Sequence, residues 1–140
     1  MPADGGAPAL FLKEPGFGLQ ESADGRFLYW MNGKTGDIWR QALKDGAPSG
    51  SAERMLTGLQ EGDRGNWALG KSGVYYIARR AETHDAAVQY RDFERGVTRT
   101  IHLLTKPPLW EGPGGLAVAP DESVVLFVQL DHGGSNIFIQ

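Results

Sequence analysis

Asp24-Gly25-Arg26-Phe27-Leu28-Tyr29-Trp30 is the stretch on which the reading of this chain turns. An Asp-Gly pair tolerates positive φ at low cost and so marks a turn. The aromatic and apolar run behind it has the composition of a strand. The same order returns in Pro120-Asp121-Glu122-Ser123-Val124-Val125-Leu126-Phe127, and in a more diverged form in Lys71-Ser72-Gly73-Val74-Tyr75-Tyr76-Ile77. The apolar segments begin at Phe27, Val74 and Val124, about fifty residues apart, and a period of that size filled with strand patterns points to a propeller blade or another stacked β unit.

Working outward, residues 1–8 read as a flexible leader and Ala9 to Lys13 as a short strand stopped by Pro15-Gly16. Strands are expected at Phe17 to Glu21, Phe27 to Met31, Asp37 to Leu43 and Glu53 to Thr57. Lys44 to Ala52 reads as a small polar loop. A second unit follows with Asn66 to Gly70, Val74 to Ala78, Ala87 to Phe93 and Val97 to Leu104, the last alternating like a half-exposed outer strand. A third has Gly115 to Ala119, Val124 to Gln129 and Asn136 to Ile139. Gly or Pro interrupts nearly every window a helix would need.

The leader Asp4-Gly5-Gly6-Ala7-Pro8 resembles Asp45-Gly46-Ala47-Pro48, which precedes the fourth strand of the first unit. Ala9 to Lys13 is therefore expected to be a fourth strand, d, whose own blade lies elsewhere. The chain then runs d-abcd-abcd-abc, with units at 9–13, 16–57, 65–104 and 115–140. The expected fold is all-β, a propeller with three four-stranded blades per chain. Closed propellers generally have four to eight blades, so two copies are expected to close a six-bladed homodimeric ring. Leu10, Phe11 and Leu12 of one copy would then complete the sheet holding Ile137, Phe138 and Ile139 of the other. A different polypeptide as the second half, and unrelated short strands in a sandwich, are the competing readings.

Composition narrows the function classes. The chain has 140 residues, 20 glycines and a formal charge of −3, which argues against a broad basic surface for nucleic acid. It has no cysteine, so disulfides and thiolate metal sites are excluded. Its first residues lack the basic and apolar regions of a signal peptide, and the apolar run Val124 to Val128 is too short to span a bilayer. No compartment is specified; the reading leans to the cytoplasm.

Ser22-Ala23-Asp24-Gly25-Arg26-Phe27-Leu28-Tyr29-Trp30, followed by Gly36-Asp37-Ile38-Trp39-Arg40, resembles the WD40-like (PD40) β-propeller repeat of the TolB type. Ala119-Pro120-Asp121-Glu122-Ser123 with Asn136-Ile137-Phe138 resembles it too. Ala23 stands where that repeat has proline, and Glu122 where it has glycine. The order as a whole is similar to the C-terminal half of bacterial propellers. The resemblance implies protein–protein scaffolding, or a sensor or substrate-gating module beside another domain.

Chemistry is sparse. His84, His102 and His132 form no metal-ligand spacing, and no nucleophile elbow or phosphate loop is present. No catalytic residue, metal or cofactor is therefore expected. Trp30, Trp39, Tyr75, Tyr76 and Phe127 read as blade-to-blade core. Arg64, Asn66, Trp67, Arg79, Arg80, Trp110, Asp131 and His132 would gather at one face around the channel mouth, where tryptophan and arginine favour binding; packing of both tryptophans is the alternative. The expected function is a non-enzymatic scaffold binding a protein, peptide or small ligand there. The alternatives are a gating propeller of a hydrolase, or an excised or engineered fragment with only an assembly role.

Overall fold

The computed structural model describes residues 12, 15–59, 65–79, 85–108, 115–131 and 134–139. Within them the chain is all-β, with eleven strands and no helix. The first sheet contains β1 (Gly16–Glu21), β2 (Phe27–Asn32), β3 (Ile38–Lys44) and β4 (Ala47–Leu56). The second contains β5 (Trp67–Leu69), β6 (Gly73–Arg79), β7 (Ala86–Asp92) and β8 (Thr98–Leu103). The third contains β9 (Leu116–Val118), β10 (Val125–Asp131) and β11 (Gly134–Ile139). Every sheet is an antiparallel meander of consecutive strands without a crossover. Of the expected strand Ala9 to Lys13, only Leu12 falls among the described residues; Leu10 and Phe11 lie outside them.

One expectation fails plainly. Lys44 to Ala52 is not a loop: β3 and β4 meet through the two residues Asp45 and Gly46, and the rest is strand. Asp45 has φ 53° and Gly46 φ 73°. Two consecutive positive φ values are what a two-residue hairpin turn needs to match strand twist. Small and polar composition misleads here because β4 is an outer edge, exposed over most of its length. Pro48 is tolerated at such an edge because only one side of the strand must pair.

The core lies between sheets. Tyr29, Met31, Ile38, Leu59, Trp67, Val74 and Tyr76 fill the space between the first and second. Tyr75, Ile77, Val88, Tyr90, Leu104, Leu116, Val125 and Phe127 fill that between the second and third. β6 serves both, since alternate side chains of a strand point to opposite faces: Val74 and Tyr76 go one way, Tyr75 and Ile77 the other. Met31, Ile38, Val74 and Ile77 are each fully buried.

Side-chain amides tie the sheets together at their inner strands. Gln20 Nε2 donates to the Trp67 carbonyl at 3.3 Å, and its Oε1 accepts from Leu69 N at 2.9 Å. Asn66 Oδ1 accepts from Gly115 N at 3.1 Å. These bonds satisfy buried backbone groups where two sheets meet, as buried polar groups require.

Candidate functional site

Because the strands alternate in direction, the turns fall on two opposite rims. One carries the ends of β1, β5 and β7 with the starts of β2 and β6. The other carries the ends of β6 and β8 with the start of β7. A groove of about 330 Å³ opens on each.

The first groove lies between the first and second sheets and is built on the Ser22–Arg26 turn, with Phe27, Tyr29, Arg40, Lys71 and Phe93 around it. Asp24 organises the turn: its Oδ1 accepts from Ser22 Oγ at 2.7 Å and from Arg26 N at 3.1 Å, and its Oδ2 pairs with Arg26 Nε at 2.6 Å. The Ser22 hydroxyl, the Arg26 amide and the Arg26 guanidinium together hold the Asp24 carboxyl down at about 2. Asp121 repeats the arrangement, accepting from Ser123 N at 3.0 Å and Ser123 Oγ at 2.6 Å, and its carboxyl is likewise lowered, with Ser123 as the leading cause.

The walls of this groove are aromatic and cationic. Tyr29 and Phe93 stack in parallel, centroids 5.7 Å apart. The Arg40 guanidinium lies 4.6 Å from the Phe27 ring centroid, within cation–π range. Arg40 also donates to Glu53 Oε2 from Nε at 3.0 Å and Nη2 at 2.8 Å. Partial burial works against its charge, yet the hydrogen bonds to Tyr29 and Glu53 prevail and its pKa is raised. Arg26, Arg40 and Asp24 are thus already engaged with neighbours in the chain, and the groove offers contact surface more than free charge.

The second groove takes in Arg79, the one described residue of the expected face found in its lining. It is lined by Arg79, Asp85, Ala86, Leu104, Thr105, Lys106, Pro107 and Pro108. Gln129 Nε2 donates to the Lys106 carbonyl at 3.1 Å and fixes this segment against β10. Arg64, Arg80, Trp110 and His132 lie outside the described residues. Asp131 ends β10, paired with Gly134.

Asn66 and Trp67, expected at that face, are placed differently. Asn66 is 2% and Trp67 4% exposed. Trp67 packs into the first interface, where its ring abuts the position of Gly18. The reason is local: β5 is an inner strand with a sheet on each side, so its first residue is enclosed. His102 is half-buried, its ring tilted on Phe127 at a centroid distance of 5.4 Å. His84 lies outside the described residues. Of the residues expected at the ring closure, Phe138 turns inward and stacks on Phe127 at 5.8 Å, whereas Ile137 and Ile139 are 72% exposed.

Among the described residues no group of three His, Asp or Glu side chains is placed to hold a metal ion, and no helix is long and apolar enough to cross a membrane. The grooves present aromatic faces, backbone groups and paired ions to whatever enters them.

No protein-family model matches the chain, and no curated protein matches it in sequence. Its fold is similar to that of a provisionally named 6-phosphogluconolactonase from Bacteroides fragilis, at 16% identity, with a TM-score of 0.50 over 89% of this chain and 37% of that one. A like-named protein from Bacteroides uniformis aligns at 15% identity and TM-score 0.46, covering 87% of this chain and 38% of the other. The chain therefore spans little more than a third of the length of either, and at such identity the likeness concerns the fold alone.

Proposed function

We propose that the chain is a propeller-type scaffold of TolB-like repeats that binds a protein or peptide segment at a rim and catalyses nothing itself. The observation that carries this reading is the inter-sheet clasping: Gln20 and Asn66 join successive sheets at their inner strands, which suits blades arranged around an axis. The matching hydrogen bonds of the Asp24 and Asp121 turns support a true repeat. The Arg79–Pro108 groove is the favoured binding rim, because it has a fixed wall at Lys106 and Pro108, and Pro108 is fully buried.

Two measurements test the reading. Displayed peptide libraries should yield binders whose affinity falls at least about tenfold in Thr105→Arg, which fills the groove; an unchanged affinity removes the site. Lactone, ester and peptide substrates should show no turnover above buffer. Turnover of the lactone would instead favour an activity like the one for which the structural neighbours are named.

A further inference from the structure

One carboxylate closes the cleft between the second and third sheets, and the equivalent cleft between the first and second stands open. The backbone bonds Ser22 N to Phe27 O, Gly70 N to Gly73 O and Ala119 N to Val124 O, each 2.9 Å, mark the same turn in the three sheets. The third turn reaches the second sheet through Glu122. Its Oε1 accepts from Lys71 N at 3.1 Å and fills the place that a β-carbon on Gly70 would take. The same carboxylate acts on the Tyr75 and Tyr90 hydroxyls. Glu122 holds φ 62°, a strained conformation for a residue other than glycine. The contacts of its carboxylate offset that strain.

Gly70, Lys71, Tyr75 and Tyr90 all have counterparts in the first sheet. Ser22 and Ala23 open their turn as Gly70 and Lys71 open theirs. Tyr29 pairs with Arg40 across β2 and β3 as Tyr75 pairs with Tyr90 across β6 and β7. Ser22, Ala23, Tyr29 and Arg40 line the groove between the first and second sheets. No residue of the second turn takes the place of Glu122 there. That turn spans four residues, Gly70 to Gly73, against six from Ala119 to Val124. The groove of about 330 Å³ is the space that results.

The donors for an incoming anion are in place. Among the described residues the Ala23 N–H makes no hydrogen bond, and the hydroxyl of Tyr29, a residue 5% exposed, donates to none. Arg26, Arg40 and Lys71 in the lining outnumber Asp24 and Glu94, and Asp24 is tied to Ser22 and Arg26. Lys71 is exposed.

We propose that the Ser22–Arg26 groove binds a carboxylate as the second sheet holds that of Glu122, with the Ala23 N–H and the Tyr29 hydroxyl donating to it and Lys71 and Arg40 balancing its charge. The ligand carries its carboxylate on a short apolar stem, the chemistry of a glutamate side chain, in a peptide or in a free small acid. Phe27 and the stacked rings of Tyr29 and Phe93 receive the stem. This site lies on the rim opposite the Arg79–Pro108 groove and does not depend on binding there.

Proton–nitrogen NMR during titration with glutarate should show the Ala23 amide proton moving downfield to saturation. The uncharged analogue glutaramide should leave it in place. N-acetylglutamate amide presents the same carboxylate on a peptide unit, and whichever of it and glutarate binds tighter names the source. Ala23→Pro removes the donor and suits the turn, since the third turn has Pro120 at that position. Its glutarate affinity, read from neighbouring amides, should fall at least about tenfold, the loss of one hydrogen bond to a charged group. The far-ultraviolet circular dichroism spectrum should not change; if it does, Tyr29→Phe, which keeps the ring and drops the hydroxyl, decides by the same fall. Thr105→Arg in the other groove should bind glutarate as the wild type does. A stationary Ala23 amide, equal binding of glutaramide, or undiminished affinity in the deciding variant overturns the proposal, as does loss of glutarate binding in Thr105→Arg. Failure of peptides to bind at the Arg79–Pro108 groove leaves it standing.

Discussion

Asn66 Oδ1 and the backbone N–H of Gly115 meet at 3.1 Å, joining the second sheet to the third where their inner strands begin. Asn66 is 2% exposed, so water does not replace this acceptor readily. Asn66→Ala leaves a backbone donor without its partner, which typically costs about 1–3 kcal/mol. Urea unfolding followed by tryptophan fluorescence should show the midpoint fall. An unchanged midpoint would mean that the clasp contributes nothing to holding the sheets.

Trp67 makes a contrasting prediction about binding. Its burial in the first interface predicts that Trp67→Ala destabilises by about 3–5 kcal/mol, as for other large core aromatics. Peptide affinity at the Arg79–Pro108 groove should stay within about twofold while the variant remains folded. A selective loss of affinity with little loss of stability would move Trp67 from the core to the binding face.

Two glycines separate conformational cost from collision. Gly36 has φ 70°, and a β-carbon there would strike the Leu59 carbonyl oxygen. Gly46 has φ 73° but nothing within 4 Å. Gly46→Ala should cost about 1–2 kcal/mol, the penalty of a side chain in the left-handed region. Gly36→Ala adds backbone displacement and should cost more than about 3 kcal/mol. Equal thermal shifts would contradict the packing of Leu59 on the turn.

Acid should act on the Ser22–Arg26 turn late. The Asp24 carboxyl is lowered to about 2 by Ser22 first, then by Arg26. An unfolded aspartate titrates near about 3.9. A depressed carboxyl favours folding above the unfolded value, and that contribution fades as pH falls from about 4 toward 2. Carbon-detected NMR of Asp24 should give a midpoint close to 2, and Ser22→Ala should raise it. An ordinary aspartate midpoint in the wild type would show that the turn is open in solution.

The repeat was legible because each unit spends its most distinctive residues on the turn and the strand behind it, as in Asp24 to Trp30. Alternation in β6 likewise shows in Val74 to Ile77. The length of β4 was hidden, since Ala47-Pro48-Ser49-Gly50 has a loop's composition and becomes a strand only because Asp45 and Gly46 fold it back on β3. Residue type left Trp67 open between a binding face and a core, and only the sheets around β5 decide for the core. The clasps of Gln20 and Asn66 carry no sequence signal, because each partner is a backbone group 47 to 49 residues away. The Ser22–Arg26 groove was missed for a related reason. It needs the turn of one sheet and Phe93 of the next, which no local pattern links.

The irregular pairing of β3 with β4 bears on a hazard that any open sheet runs. Arg40 faces Glu53 while Ala42 faces Ser49, so β4 bulges outward between them. Pro48 lies just before the bulge and the charged Glu53 and Arg54 at its far end. A bulge, a proline and charges make an edge a poor template for a foreign strand. Runaway fibrils seeded at the outer rim of the first sheet are thereby discouraged. The Ile137–Ile139 segment carries neither proline nor charge, and its two isoleucines are 72% exposed, so aggregation should start from that edge rather than from β4.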